Sequence, residues 1–97
     1  MPMYVTFMKL TEQGAKSIKD APARIEAGIK AWDAMGGKMH SFHVVMGEYD
    51  YVAIGEAASD EAATIFAMAL GALGNVRTTT CRAFTQEEFA QMVKKLP

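Results

Sequence analysis

The fold is decided by KMHSFHVVMGEYDYVAIGE, residues 38–56. Two runs rich in β-branched and aromatic residues flank a short polar stretch that contains a glycine, which is the pattern of a β-hairpin. The spacing predicts strands over 38–46 and 49–56. Gly47 and Glu48 then form the centre of a type II′ turn, whose twist matches that of the strands it joins. Alternation puts Tyr51, Ala53 and Gly55 on one face and Val52 and Ile54 on the other. On the partner strand, Phe42, Val44 and Met46 oppose Met39 and Val45. An antiparallel sheet with one solvated face carries polar residues on that face. Here both faces are substantially apolar, so the hairpin is expected to be covered on both sides.

Working outward, residues 3–10 (MYVTFMKL) read as a strand and residues 11–19 as a short helical turn. Asp20 is placed to cap a helix with Pro22 in its first turn. Ile25, Ile29 and Trp32 share one face of that helix, and Gly36 and Gly37 stop it. After the hairpin, Ser59 caps a second helix, with Asp60 and Glu61 at its positive end. From 62 to 73 it is apolar nearly all round, the mark of a helix covered on more than one side. Gly74 ends it, and VRTTTCRAF (76–84) reads as a fourth strand. Thr85 and Glu88 form a capping box for a last helix, whose apolar stripe is Phe89, Met92, Val93 and Leu96. The order β-α-β-β-α-β-α predicts one α+β domain over residues 1–97, a ferredoxin-like split βαβ unit with a C-terminal helix. Right-handed crossovers place both inner helices on one sheet face and leave the other open.

Composition narrows the function. Hydrophobic residues make up 51% of the 97, more than one thin core of this size hides, so a homodimer or higher homo-oligomer is expected. The net charge of −1, from 10 basic and 11 acidic residues, disfavours nucleic-acid binding. A single cysteine, Cys81, excludes an internal disulfide and a cysteine-rich metal site. The chain shows no basic stretch followed by an apolar one near Met1 and no apolar run long enough for a membrane span, so the cytoplasm is the expected location. No cofactor is expected, because no glycine-rich phosphate loop, nucleophile elbow or HExxH motif occurs.

Few residues carry candidate chemistry. His40 and His43 lie three apart, which on a regular strand sends them to opposite faces, so no metal is expected there. With a two- or four-residue turn, His43 and Asp50 become diagonal neighbours, and such a pair can orient a general base. The competing role for Asp50 is to bond backbone N–H groups near the turn. Arg77 and Arg82 lie five apart on the last strand, on opposite faces, and one can anchor an anion.

The segments TEQG (11–14), IKDAP (18–22), MGEYDYVAI (46–54) and GNVRTTTCRAF (74–84) resemble the GYD-domain family, named for a Gly-Tyr-Asp signature. Here that signature is Gly47, Tyr49 and Asp50, with Glu48 between the glycine and the tyrosine. The resemblance implies a dimeric α+β barrel and no particular activity. A second, partial resemblance joins GEYDYV and GNVRTT to the effector-binding domain of leucine-responsive regulators, where this hairpin lies at subunit contacts that bind a small effector. The helix-turn-helix of those regulators is missing.

Two functional classes follow. The first is an oligomeric small-molecule-binding module whose ligand touches Gly47, Tyr49, Asp50, Tyr51 and Arg77 at a subunit contact. The second is a cofactor-free isomerase or monooxygenase with a pocket inside the barrel and His43 and Asp50 as its acid–base pair. Binding ranks first, because no set of titratable groups converges.

Overall fold

Residues 3–10 become the strand around which the domain is built, because alternate positions supply two apolar faces and a neighbour on each edge completes the hydrogen bonding. A computed structural model describes all of residues 1–97. Its elements are β1 (Met3–Leu10), α1 (Glu12–Lys16), a 3-10 turn (Ile18–Asp20), α2 (Ala21–Ala34), β2 (Lys38–Val44), β3 (Tyr51–Glu56), α3 (Asp60–Leu73), β4 (Val76–Ala83) and α4 (Gln86–Val93). The sheet order is β2-β3-β1-β4, with every neighbouring pair antiparallel. This is the expected α+β ferredoxin-like plan, with α1 and the 3-10 turn inserted before α2. No helix is long and apolar enough to cross a membrane.

One sheet face packs under α2 and α3. It is built by Tyr4, Thr6, Met8 and Leu10 of β1, in register with Tyr51, Ala53 and Gly55 of β3 and with Val76, Thr78 and Thr80 of β4. The core forms two clusters. Tyr4, Trp32, Ala57 and Ala63 make one, with Phe66 against it; Met8, Tyr51 and Ala53 make the other, with Ile25, Phe42 and Leu70. Only ten of the 97 residues are buried, so the single chain has a thin core. The opposite face carries Val5, Phe7, Val52 and Ile54 with no element over it.

Four local expectations need correction. The hairpin loop is longer than two residues: β2 stops at Val44, β3 starts at Tyr51, and Val45 N–H donates to Asp50 O at 2.9 Å. Tyr49 leaves the strand path to pack on Phe7, with ring centroids 5.0 Å apart. The pairing is that of the four-residue turn, and Gly47 sits within it at φ +118°, in the left-handed region open to glycine. Second, the β2–β3 register shifts between Met39 and Ser41. This bulge adds one residue and undoes the alternation. His40 therefore bonds Glu56 at 2.6 Å, and His43 pairs with Val52, so both rings lie on the open face. Third, Asp20 does not cap α2. Its own backbone is helical, because the 3-10 turn runs straight into the helix, and its side chain makes no capping bond. Fourth, the final strand ends at Ala83, one residue early.

The remaining helix ends follow the sequence. Ser59 Oγ accepts from Ala62 N–H, and Gly74 closes α3 at φ +84°. Thr85 and Glu88 form the reciprocal capping box of α4. Every residue from 84 to 97 is exposed, so α4 projects from the domain. The radius of gyration, 14.8 Å, accordingly exceeds the about 13 Å of a compact chain of this length.

Candidate functional site

Three of the four segments that carry the resemblance, TEQG, MGEYDYVAI and GNVRTTTCRAF, meet at one end of the sheet, around the last residue of β1. Leu10 N–H donates to Asp50 Oδ2 at 2.8 Å, and Asp50 N–H donates to Met8 O at 2.9 Å. The Asp50 carboxylate thus continues the β1–β3 ladder past the end of the strand, supplying the acceptor that Leu10 needs. On the other side of β1, Thr11 N–H donates to Asn75 O and Thr11 Oγ1 to Gly74 O. Gln13 Nε2 donates to Leu73 O and Asn75 Oδ1. Gly14 allows this contact, since a Cβ there would lie 2.1 Å from Asn75 O. Arg24 ties α2 to the same corner through Ser17 O, Ser17 Oγ and Gly14 O.

This corner closes one end of a cleft of about 410 Å³ between the sheet and the two inner helices. Its floor includes Thr6, Met8, Leu10, Tyr51, Ala53 and Thr78; its walls include Ile25, Gly28 and Trp32 of α2 and Phe66, Ala67 and Leu70 of α3. Trp32 and Phe66 meet edge to face, 5.0 Å apart, and bridge the helices. Elsewhere the facing side chains are too short to span the gap, and the exposed lining residues Ala27, Ala31 and Ala69 mark where it opens to solvent. The cleft holds no carboxylate, lysine or histidine; Arg24, already bonded to the α1 corner, is its one charged residue.

The anticipated site residues are divided between the two sides of the sheet. Tyr51 lines the cleft, is 6% exposed, and makes no side-chain hydrogen bond. Tyr49 lies over Phe7 on the open face, with Lys9 Nζ 5.8 Å from its ring centre and 4.0 Å from Glu48 Oε1. Arg77 stands opposite Lys9 in the β1–β4 register and has no carboxylate partner. Gly47 is exposed in the loop. His43 lies on β2 and Asp50 in the hairpin loop before β3, and no hydrogen bond joins them. Although the bulge brings both histidines to one face, no group of three or more His, Cys, Asp or Glu residues gathers anywhere as a metal site would require.

Away from the cleft, Tyr4 donates to Asp60 Oδ1 at 2.5 Å under the start of α3. Burial, then the bond to Asp60, pushes the Tyr4 hydroxyl above its ordinary value of 10.0, with nearby Arg82 acting in the opposite sense. Arg82 stacks on Phe84, 4.6 Å from the ring centre, and lies 3.9 Å from Asp60, so its role is to brace the strand end.

Sequence reasoning missed the residues that shape the cleft. Thr6, Thr78 and Thr80 read as ordinary strand formers, and Gly28 was assigned no role. Their available signal was position: three hydroxyls fall on the helix-facing side of β1 and β4, where aliphatic residues would pack better. No curated protein matches the chain. The GYD-domain family model matches residues 4–93, which takes in all four strands and the corner where TEQG, GEYD and GNV meet, and the chain belongs to the GYD-domain family.

Proposed function

We propose that the domain is a homo-oligomeric small-molecule-binding module, with the ligand in the cleft between the sheet and α2/α3 and the open sheet face as the surface between copies. The observation that carries the reading is the cleft: its volume falls in the range of small-molecule sites, and its apolar lining holds two hydroxyls without a partner, on Tyr51 and Thr78. The assembly half rests on Val5, Phe7, Val52 and Ile54, an apolar strip that a second copy would remove from water. Of the five residues expected to touch a ligand, Tyr51 alone lines the cleft. Asp50 is engaged in the ladder, and the other three lie in the loop or on the open face.

Binding precedes catalysis in this reading for a structural reason. Of the acid–base pair the sequence offered, His43 stands on the far side of the sheet from the cleft, and the Asp50 carboxylate is taken up by Leu10 N–H in the ladder. Trp32 supplies the test, since it is the only tryptophan and lines the cleft. A thermal-shift screen of small metabolites followed by Trp32 fluorescence should give hits that both raise the melting temperature and change the emission. A ligand at one hundred times its dissociation constant adds about 2.7 kcal/mol of stability. Stabilising hits that leave Trp32 unchanged and are lost in Tyr49→Ala would move the site to the hairpin.

A further inference from the structure

We infer that the cleft takes an uncharged, largely apolar molecule that carries a hydroxyl or carbonyl group, and that Gly28 keeps room for it. This rests on the ligand-binding reading above and adds the chemical class. A charged group taken from water into an apolar site needs a counter-ion or several hydrogen bonds. No acidic or other basic side chain lines the cleft to supply one, and the Arg24 guanidinium is held on three oxygens of the α1 corner at 2.8, 3.1 and 3.2 Å.

The polar groups that do line the cleft suit a neutral partner. Thr6 and Thr80 hydroxyls face each other across β1–β4 at 3.4 Å, a weak contact that a ligand oxygen can replace. Thr78 and Tyr51 make no side-chain hydrogen bond in the chain. A hydroxyl donates and accepts, so this set matches an alcohol, a ketone or an ester equally. Tyr51, 6% exposed, lines the cleft with its hydroxyl unbonded, whereas Trp32 Nε1–H, buried without an acceptor, packs against Gly37 and Gly55 and is not offered to the cleft.

Gly28 supplies the shape argument. Glycine in a helix interior is unfavourable against alanine, and nothing requires it here: its backbone is ordinary, and a Cβ would meet no atom within 4 Å. What the missing side chain leaves is space on the α2 wall of the cleft.

The test uses Nile red, a neutral dye whose emission reports apolar surroundings, on the full chain, displaced in turn by decanol, decanoate and decylammonium. These share one chain length and differ only in the head group. Decanol should displace the dye at least ~10-fold more effectively than either ion, the margin set by burying an unpaired charge. Tyr51→Phe should weaken decanol ~2–10-fold, the range for one hydrogen bond. Gly28→Leu should cut dye binding ~10-fold or more by filling the cleft, while the melting temperature holds or rises. Decanoate or decylammonium matching or exceeding decanol would overturn the uncharged class and leave the cleft in place. Full dye binding in a folded Gly28→Leu variant would instead overturn the cleft as the site.

Discussion

Asp50 and Leu10 show how one side chain closes a sheet. The last N–H of the central strand has β4 on one side and the end of β3 on the other, and the Asp50 carboxylate completes its hydrogen bonding. Asp50→Ala leaves that donor unpaired and should cost about 1–3 kcal/mol, read as a lower urea midpoint. Asp50→Asn keeps an acceptor oxygen and should recover most of the loss. Equal losses in the two variants would mean that the charge, not the acceptor, holds the corner. Tyr4 gives a second residue-scale outcome. Its hydroxyl is raised in the folded state above the ordinary value of 10.0, so the folded chain retains a proton that the unfolded chain has already released. Its contribution is complete below about pH 10 and is lost as pH rises through the folded value. Thermal stability should therefore fall in alkali above that point, and Tyr4→Phe should remove this part of the fall. An unchanged alkaline slope in Tyr4→Phe would contradict the assignment.

At the scale of elements, periodicity and capping found every strand and main helix, because Ser59, Thr85 and the glycines at 36 and 74 act through their immediate neighbours. The errors came where distant contacts decide. The hairpin lengthened because Tyr49 packs on Phe7 and Asp50 bonds Leu10, partners about forty residues away in the chain that no local spacing reveals. The bulge at His40 is likewise silent in the sequence, and it reversed the facing of one histidine. The cleft was not legible, since it arises from the gap between α2 and α3 rather than from any motif. Tyr51 was singled out, but for the hairpin rather than for the cleft it lines. The last helix, α4, is the element held most locally. Its capping box depends on ionised Glu88, whose carboxyl is lowered chiefly by its hydrogen bond from Thr85 N–H. A lowered carboxyl stabilises above its unfolded value and loses that effect as pH falls through the folded one. Amide exchange or carbon chemical shifts over residues 86–93 should show α4 fraying in acid, below the ordinary carboxylate range, before the sheet opens. Simultaneous loss of α4 and the sheet would show that α4 is held by packing against another copy.

At the scale of the whole molecule the sheet divides two tasks between its faces. The face under α2 and α3 forms the cleft, and the face bearing Val5, Phe7, Val52 and Ile54 meets a second copy in the proposed assembly. Light scattering after size exclusion should give a multiple of the 10.6 kDa chain mass at micromolar concentration. Ile54→Lys sets a charge in the middle of the strip and should return a folded monomer that still binds Nile red. A monomeric wild-type chain would remove the assembly half of the account and leave the cleft untouched. A crystal structure grown with decanol decides between the cleft and the hairpin. Density for the alcohol is expected between α2, α3 and the β1–β4 floor, with its oxygen in hydrogen-bond reach of Tyr51, Thr78 or Thr80. Decanol bound at the hairpin, with the space beside Gly28 and Trp32 closed, would contradict that placement.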